Sequence, residues 1–352
     1  MSKVCVVKTS PKTVLADYQT LLKLAAPKLA GPIILKLNLS WTKFYPACST
    51  PPWQLEGVVK YLLENGVSPK NIIPVENRTV VTDVRQGAEN HFWPKVLAKY
   101  GVKMHYLTDE PYDFYRPKAK MLVLSQIFPK GIYLPKIIFG KSIIHLATMK
   151  SHVFTTTTGA IKNYFGMLTT NRHFCHRFIH QALVDLLQIQ KELHPKILGV
   201  MDGAVVGSGP GPRAMKWHEK NYLLAGQDIV ALDATAAKMM GFDPLKIKYL
   251  KLSQEKGLGT ADPQKIKISG ENIAGINFGF KSADTLASRG QKLIYHRLPF
   301  WLEKILLQTV IAPWSYLASR AYFDGFWYNF IGKRRVSRFL ASPWGKAFLK
   351  YR

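Results

Sequence analysis

The stretch SIIHLATMKSHVFTTTTGAIKNYFGML, Ser142 to Leu168, decides how this chain is to be read. Its first part, SIIHLATM, is a continuous apolar run, the pattern of a strand buried on both faces. Four threonines (Thr155 to Thr158) and Gly159 follow, and GAIKNYFGML then carries the spacing of a helix. A buried strand that ends in hydroxyls and a glycine and feeds a helix is the unit from which parallel α/β sheets are built. It also turns backbone N–H groups and the positive end of a helix dipole towards one point, which suits phosphate or carboxylate. Lys150, Thr157, Thr158, Gly159, Lys162 and Asn163 are therefore candidate substrate ligands, and His152 or His145 a candidate proton carrier. The plain alternative is that the threonines cap the helix and the lysines are solvated.

Outward from this segment, up to about residue 280, short apolar runs alternate with amphipathic stretches. Strands are expected at Val4 to Lys8, Ile33 to Leu37, Ile72 to Val75, Lys103 to Leu107, Met121 to Leu124, Ile143 to Leu146, Ile197 to Met201, Tyr222 to Ala225 and Ile266 to Ile268. Helices are expected at Thr13 to Leu24, Trp53 to Asn65, Val84 to Tyr100, Ala160 to Leu168, His173 to Leu193, Ile229 to Met240 and Pro244 to Glu255. The fold class is α/β, a mostly parallel sheet flanked by helices with a C-terminal basic aromatic helical extension. In such folds the loops at the C-terminal strand ends carry the site. That brings in Lys36 and Asn38 of KLNLS, Glu76, Asn77 and Arg78 of ENRTVVTD, and Asp202, Gly209 and Arg213 of MDGAVVGSGPGPR. Asp202 is expected to orient a histidine or hold a cation, and Arg213 to offer a bidentate fork to an anion. Prolines 210 and 212 keep the glycines from opening a helix, so this is no dinucleotide fingerprint. The plain alternative for each of these loops is a simple turn, the commoner role of lone polar residues there. His173, His176 and His180 recur at i, i+3 and i+7, so on one helix they would share a face and make a divalent metal conceivable.

The whole-chain composition narrows the partners. Forty-nine Lys and Arg against 22 Asp and Glu give a formal charge of +27, which calls for an acidic partner such as anionic lipid, nucleic acid or a phosphorylated substrate. Residues 286–352 read as a second unit after a domain at 1–285. Between Arg289 and Arg352 there are twelve Lys or Arg against Glu303 and Asp324, with Trp301, Trp314, Trp327 and Trp344. Basic residues interleaved with aromatics suit a lipid headgroup boundary, so the tail is expected on an anionic membrane surface. A helical lid on the core or on a second subunit is the alternative. The uncharged run Ile305 to Ser319 is broken by Pro313 and is shorter than the roughly 20 residues a spanning helix needs. Cys5, Cys48 and Cys175 are far apart and form no CxxC pair, so no intrinsic iron–sulfur cluster is expected. The N-terminal MSKVCVVKTS carries no secretory apolar region, and a cytoplasmic protein, peripheral at the inner face of the membrane, is the expectation.

The blocks KLNLSW, TPPWQLEGVVKYLLENG, PVENRTVVT, IIHLATMKSHVFTTTTGAIKNYFGML, MDGAVVGSGPGPR and ALDATAAKMMGFDP resemble the domain-of-unknown-function 362 family over about residues 1 to 280. The resemblance implies an α/β domain, in some members joined to a ferredoxin-like iron–sulfur module that this chain lacks. The chain also looks remotely similar to the N-terminal domain of nickel-pincer lactate racemases, where histidines and lysines handle a hydroxy acid. Together these readings anticipate an enzyme at a membrane surface acting on an anionic small molecule or lipid, by isomerisation, group transfer or reduction with an external redox partner. A homo-oligomer is compatible with them. The competing classes are a non-catalytic binding or assembly protein and an RNA-binding protein.

Overall fold

The computed structural model describes residues 1–25, 29, 31–79, 81–308 and 313–352. Its strands are β1 (Ser2–Lys8), β2 (Ile33–Lys36), β3 (Ile72–Glu76), β4 (His105–Tyr106), β5 (Tyr112–Tyr115), β6 (Ile132–Pro135), β7 (Ser142–His152), β8 (Thr156–Thr157), β9 (Ile197–Ser208), β10 (Lys216–Gly226) and β11 (Ile266–Gly270). The helices are α1 (Val14–Ala25), α2 (Pro52–Glu64), α3 (Val84–Asn90), α4 (Trp93–Lys99), α5 (Leu124–Ile127), α6 (Ala160–Asn163), α7 (Ile179–Leu193), α8 (Ile229–Met240), α9 (Lys248–Glu255), α10 (Leu286–Arg297), α11 (Phe300–Gln308), α12 (Pro313–Arg320), α13 (Lys333–Ala341) and α14 (Pro343–Leu349). A π-helical stretch, Ala321–Gly332, joins α12 to α13.

One sheet runs in the order β11-β1-β10-β9-β7-β2-β3-β4, with β8 folded back on the end of β7, and β5 and β6 form a separate pair. Along that path every pairing is parallel except the two made by β10. The chain is thus an α/β fold with a mostly parallel sheet. All eleven residues of β7 are buried, because both faces of the sheet are covered. Its odd residues Ile143, Ala147 and Met149 enter the core beneath α7 and α8, and its even residues Ile144 and Leu146 enter the core beneath α1 and α2. From β2 the chain passes through α2 to β3 on one side, while from β7 it passes through α7 to β9 on the other. The strand order therefore reverses between β2 and β7, and in open sheets of this kind the loops beyond the C-terminal strand ends at such a reversal form the ligand crevice.

Local chemistry explains where the sequence reading of the elements departs. Met121 to Leu124 is not a strand, because the backbone N–H groups of Leu122, Val123 and Leu124 donate to the Asp185 carboxylate at 2.7, 2.8 and 2.9 Å and start α5. The helix expected from Val84 to Tyr100 breaks at Phe92, which is left-handed at φ 60°. Thr170–Phe178 is a 3-10 stretch rather than the first turns of α7. The boundary expected at 285 does not separate two cores either. Phe323, Trp327, Phe339, Trp344 and Phe348 are buried in the same core layer as Trp41, Tyr45 and Trp53. Trp344 is fully enclosed, lies 4.9 Å from Trp53 and donates to Asn221 Oδ1 at 2.7 Å. Among the described residues no helix is long and apolar enough to cross a membrane. Residues 309–312, at the break in the Ile305 to Ser319 run, lie outside the described residues.

Candidate functional site

The crevice is built from strand ends that reach across to one another. Asn163 Nδ2 donates to the Lys36 carbonyl at 2.9 Å, and the Asn38 and Asn163 side chains meet at 3.4 Å. Buried Lys36 donates to Glu76 Oε1 at 2.7 Å and to the Leu37 carbonyl at 2.6 Å. Burial pulls its ammonium below the ordinary lysine range, and Glu76 opposes that. Glu76 Oε1 also accepts the Asn77 N–H, while Oε2 is buried with no partner among the described residues. Asn77 Nδ2 donates to Tyr112 Oη and to the Gly166 carbonyl, both at 2.9 Å. Lys36, Asn38, Glu76, Asn77 and Asn163 thus converge, and their polar groups hold the loops together.

Lys150 does the same work from β7. Its Nζ donates to Cys48 O at 2.5 Å, Asn38 Oδ1 at 2.6 Å and Thr148 Oγ1 at 2.7 Å, which occupies the three protons of an ammonium. Burial lowers it to about 7. It is a brace, not an open anion ligand. The threonines are also committed. Thr155 Oγ1 donates to the Thr157 carbonyl at 2.8 Å, Thr157 Oγ1 meets Tyr249 Oη at 3.2 Å, and Thr158 Oγ1 lies 3.3 Å from the Thr148 carbonyl.

The anion seat expected at the helix start after Gly159 is already filled. Ala160 N–H and Ile161 N–H donate to the two oxygens of Asp233 at 2.7 and 3.1 Å, and α6 itself is only four residues long. A Cβ on Gly159 would lie 2.1 Å from Asp233 Oδ1, so the glycine is there to admit the carboxylate. Burial lifts Asp233 to about 7. Nothing in ALDATAAK marks this aspartate, since an apolar helix with one Asp reads as an incidental polar residue.

Three further expectations are corrected. His145 lies on the α7 side of the sheet, fully buried, with Nε2 2.8 Å from Gln190 Oε1, and burial drops it to about 3, far from a proton-carrying position. Asp202 accepts from Tyr18 Oη and Trp53 Nε1, both at 2.8 Å, beneath α1 and α2, so its charge is spent inside the core and not on a histidine or cation. The metal reading of His173, His176 and His180 is not carried by the geometry. The 3-10 stretch breaks their helical register, His173 Nε2 meets Tyr316 Oη at 3.0 Å, and no three His, Cys, Asp or Glu among the described residues are placed to hold a metal. Gly209, at φ 96°, serves the turn, with its carbonyl accepting from Ser151 Oγ at 2.8 Å. Arg78 is exposed, and its carbonyl accepts from Arg172. Arg213 is half-buried, 4.0 Å over the ring of Phe323 and 3.4 Å from Ser319 Oγ.

What is left uncommitted is Lys162. This half-buried side chain makes no hydrogen bond and no ion pair among the described residues and meets only the ring of Phe165, at 5.7 Å. Burial and then Arg172 lower it to about 8, and no acid acts on it in return. Its field in turn depresses Lys150, His152 and His176. The two neutral imidazoles that feel this charge, His152 and His176, have complementary capacities. His152 Nδ1 accepts the Phe154 N–H at 3.1 Å, so its proton sits on Nε2. His176 Nδ1 donates to the His173 carbonyl at 2.8 Å, which leaves its Nε2 lone pair bare. Burial holds His176 at about 4 and His152 well below the usual imidazole range. Arg172 is not legible as a site residue in NRHFCHRFIH, where nothing local sets it apart from Arg177 and the three histidines. It is buried, tied to the Leu168 and Arg78 carbonyls, and adds charge to the cleft without facing a ligand.

A family profile described as a domain of unknown function, DUF362, matches residues 33–238. The chain belongs to the DUF362 family. The matched DUF362 span runs from β2 into α8 and so holds every cleft residue, including Lys162, His152, His176, Arg172 and Asp233. β1, β11 and the C-terminal helices lie outside it. No curated protein matches the sequence.

Proposed function

We propose that the protein is an enzyme that binds an anionic substrate, phosphate or carboxylate, in the strand-end cleft beside Lys162, and that its tail holds it at an anionic membrane surface on the cytoplasmic side. The observation that carries the reading is a half-buried ammonium with cationic or neutral neighbours and no counter-charge among the described residues. A charge kept out of water in that state is stabilised by an anion that arrives with the ligand. Lys162 contacts the anion and Arg172 adds to the field. His152 Nε2–H donates a hydrogen bond to the bound molecule, and His176 Nε2 takes a proton from it, which is acid–base chemistry at a site with two differently protonated imidazoles. The reading is tested by calorimetric titration of inorganic phosphate, glycerol 3-phosphate and citrate into the native protein and Lys162→Met. The native protein should bind at least one of them, and the variant should lose about 1.5 to 3 kcal/mol of that binding while staying folded. Equal affinity in the two proteins would remove Lys162 from the site.

A further inference from the structure

The cleft has a roof, and the roof has two unlike faces. On the inner face, Tyr295 of α10 stacks on His176 with centroids 5.9 Å apart and meets the edge of Phe154. From α11, buried Glu303 pairs with Arg177. From α12, Tyr316 reaches His173 and Ser319 faces Arg213. On the outer face of the same helices Leu286, Leu293, Trp301, Trp314 and Leu317 are exposed, Leu286 to 74 % and Leu317 to 71 %. Arg289, Arg297 and Arg320 are exposed among them. Large apolar side chains gathered on one exposed face mark a surface that something covers. Tryptophan and leucine mixed with arginine match the headgroup layer of a bilayer, and a tail with twelve basic and two acidic residues selects an anionic one.

We propose that α10 to α12 are a lid that seats on an anionic bilayer, and that the anion received beside Lys162 is the phosphate of a membrane lipid entering beneath that lid. This rests on the anion-binding reading above and adds the source of the anion. The coupling lies in the short helices themselves. The side chains that face lipid and those that close over His173, His176 and Arg177 share the same three elements, so seating Trp301 and Trp314 among headgroups moves the inner contacts as well. The chain beyond them stays anchored, because α13 and α14 are fixed to the core by Phe339, Trp344 and Phe348.

The test titrates the full-length protein with vesicles of phosphatidylcholine alone, with vesicles that also contain phosphatidic acid, and with soluble glycerol 3-phosphate. Native protein should prefer the phosphatidic acid vesicles about tenfold or more. Trp301→Ser combined with Leu317→Ser should lose vesicle binding and keep glycerol 3-phosphate binding. Lys162→Met should lose the preference for phosphatidic acid about tenfold. Hydrogen exchange at Thr170–Phe178 should speed up on the phosphatidic acid vesicles, as the contacts with Tyr295, Glu303 and Tyr316 are released. Binding of glycerol 3-phosphate without any preference for phosphatidic acid vesicles would overturn the lipid source and leave the anion site standing. A Lys162→Met protein that prefers those vesicles as strongly as the native one would show that the lipid phosphate does not reach the cleft, which overturns the proposal. Unchanged exchange at Thr170–Phe178 would overturn the lid.

Discussion

Replacing Trp344 by Ala probes whether the C-terminal helices belong to the core. The indole is fully enclosed, packs 4.9 Å from Trp53 and donates to Asn221 Oδ1 at 2.7 Å. Truncating a buried tryptophan costs about 3 to 5 kcal/mol through lost transfer and the void left behind, and the hydrogen bond contributes about 1 kcal/mol within that range. The void here opens beside Trp53, whose own N–H holds the Asp202 carboxylate at 2.8 Å, so the surroundings have little freedom to collapse. Against a total stability of about 5 to 15 kcal/mol, the loss is about a fifth or more of what holds the fold. Urea unfolding followed by circular dichroism reads it as a lower midpoint, and Trp344→Phe should recover most of the packing but not the hydrogen bond. The same reasoning predicts that a chain cut after residue 285 bares Trp41, Tyr45 and Trp53 and aggregates or unfolds. A loss below about 1 kcal/mol in Trp344→Ala would refute the packing argument and make the tail an appendage.

Two further outcomes follow from buried carboxylates. Gly159→Ala should cost more than about 2 kcal/mol, measured by the same unfolding curve, because a Cβ 2.1 Å from Asp233 Oδ1 drives the carboxylate off the Ala160 and Ile161 amides. Asp202, raised by burial to about 6, binds its proton more tightly folded than unfolded, where a carboxyl titrates near about 3.9. Its contribution is therefore fully present below about pH 4 and is lost as pH rises towards about 6. Asp202→Asn should flatten that part of the stability profile, seen as a smaller drop in thermal midpoint between those pH values; a parallel profile would mean that Asp202 titrates normally.

The α/β architecture was legible because β1, β2, β3, β7 and β9 are apolar runs with no competing use for their backbone groups. Met121 to Leu124 misled because a carboxylate from a distant helix, Asp185, takes its N–H groups, and no local pattern announces a partner 61 to 63 residues away. The strand-end residues were legible as a group, since Lys36, Asn38, Glu76, Asn77, Lys150 and Asn163 do meet, but their division of labour was not. Whether an ammonium is an open ligand or a spent brace depends on how many acceptors surround it. Lys150 has three close acceptors and Lys162 has none among the described residues, although both read alike in KSHVFTTTTGAIK. The tail's basic aromatic composition was plain, whereas which of its aromatics turn inward depends on a docking geometry set by Trp41, Phe44 and Trp53. Phe348 stacks on Phe44 at 4.0 Å while Trp301 stays 63 % exposed.

Whether Lys162 is a charge that receives an anion is tested most directly by its own titration. Carbon-13 NMR of labelled lysine, with Lys162→Met to assign the resonance, follows the ammonium across pH with and without inorganic phosphate. The midpoint should lie near 8 in the free protein, set first by burial and then by Arg172, and should rise when phosphate binds, because an adjacent anion favours the charged form. Phosphate affinity should accordingly fall as pH climbs through that midpoint. An ordinary lysine titration near about 10.4 that phosphate leaves unmoved would contradict it.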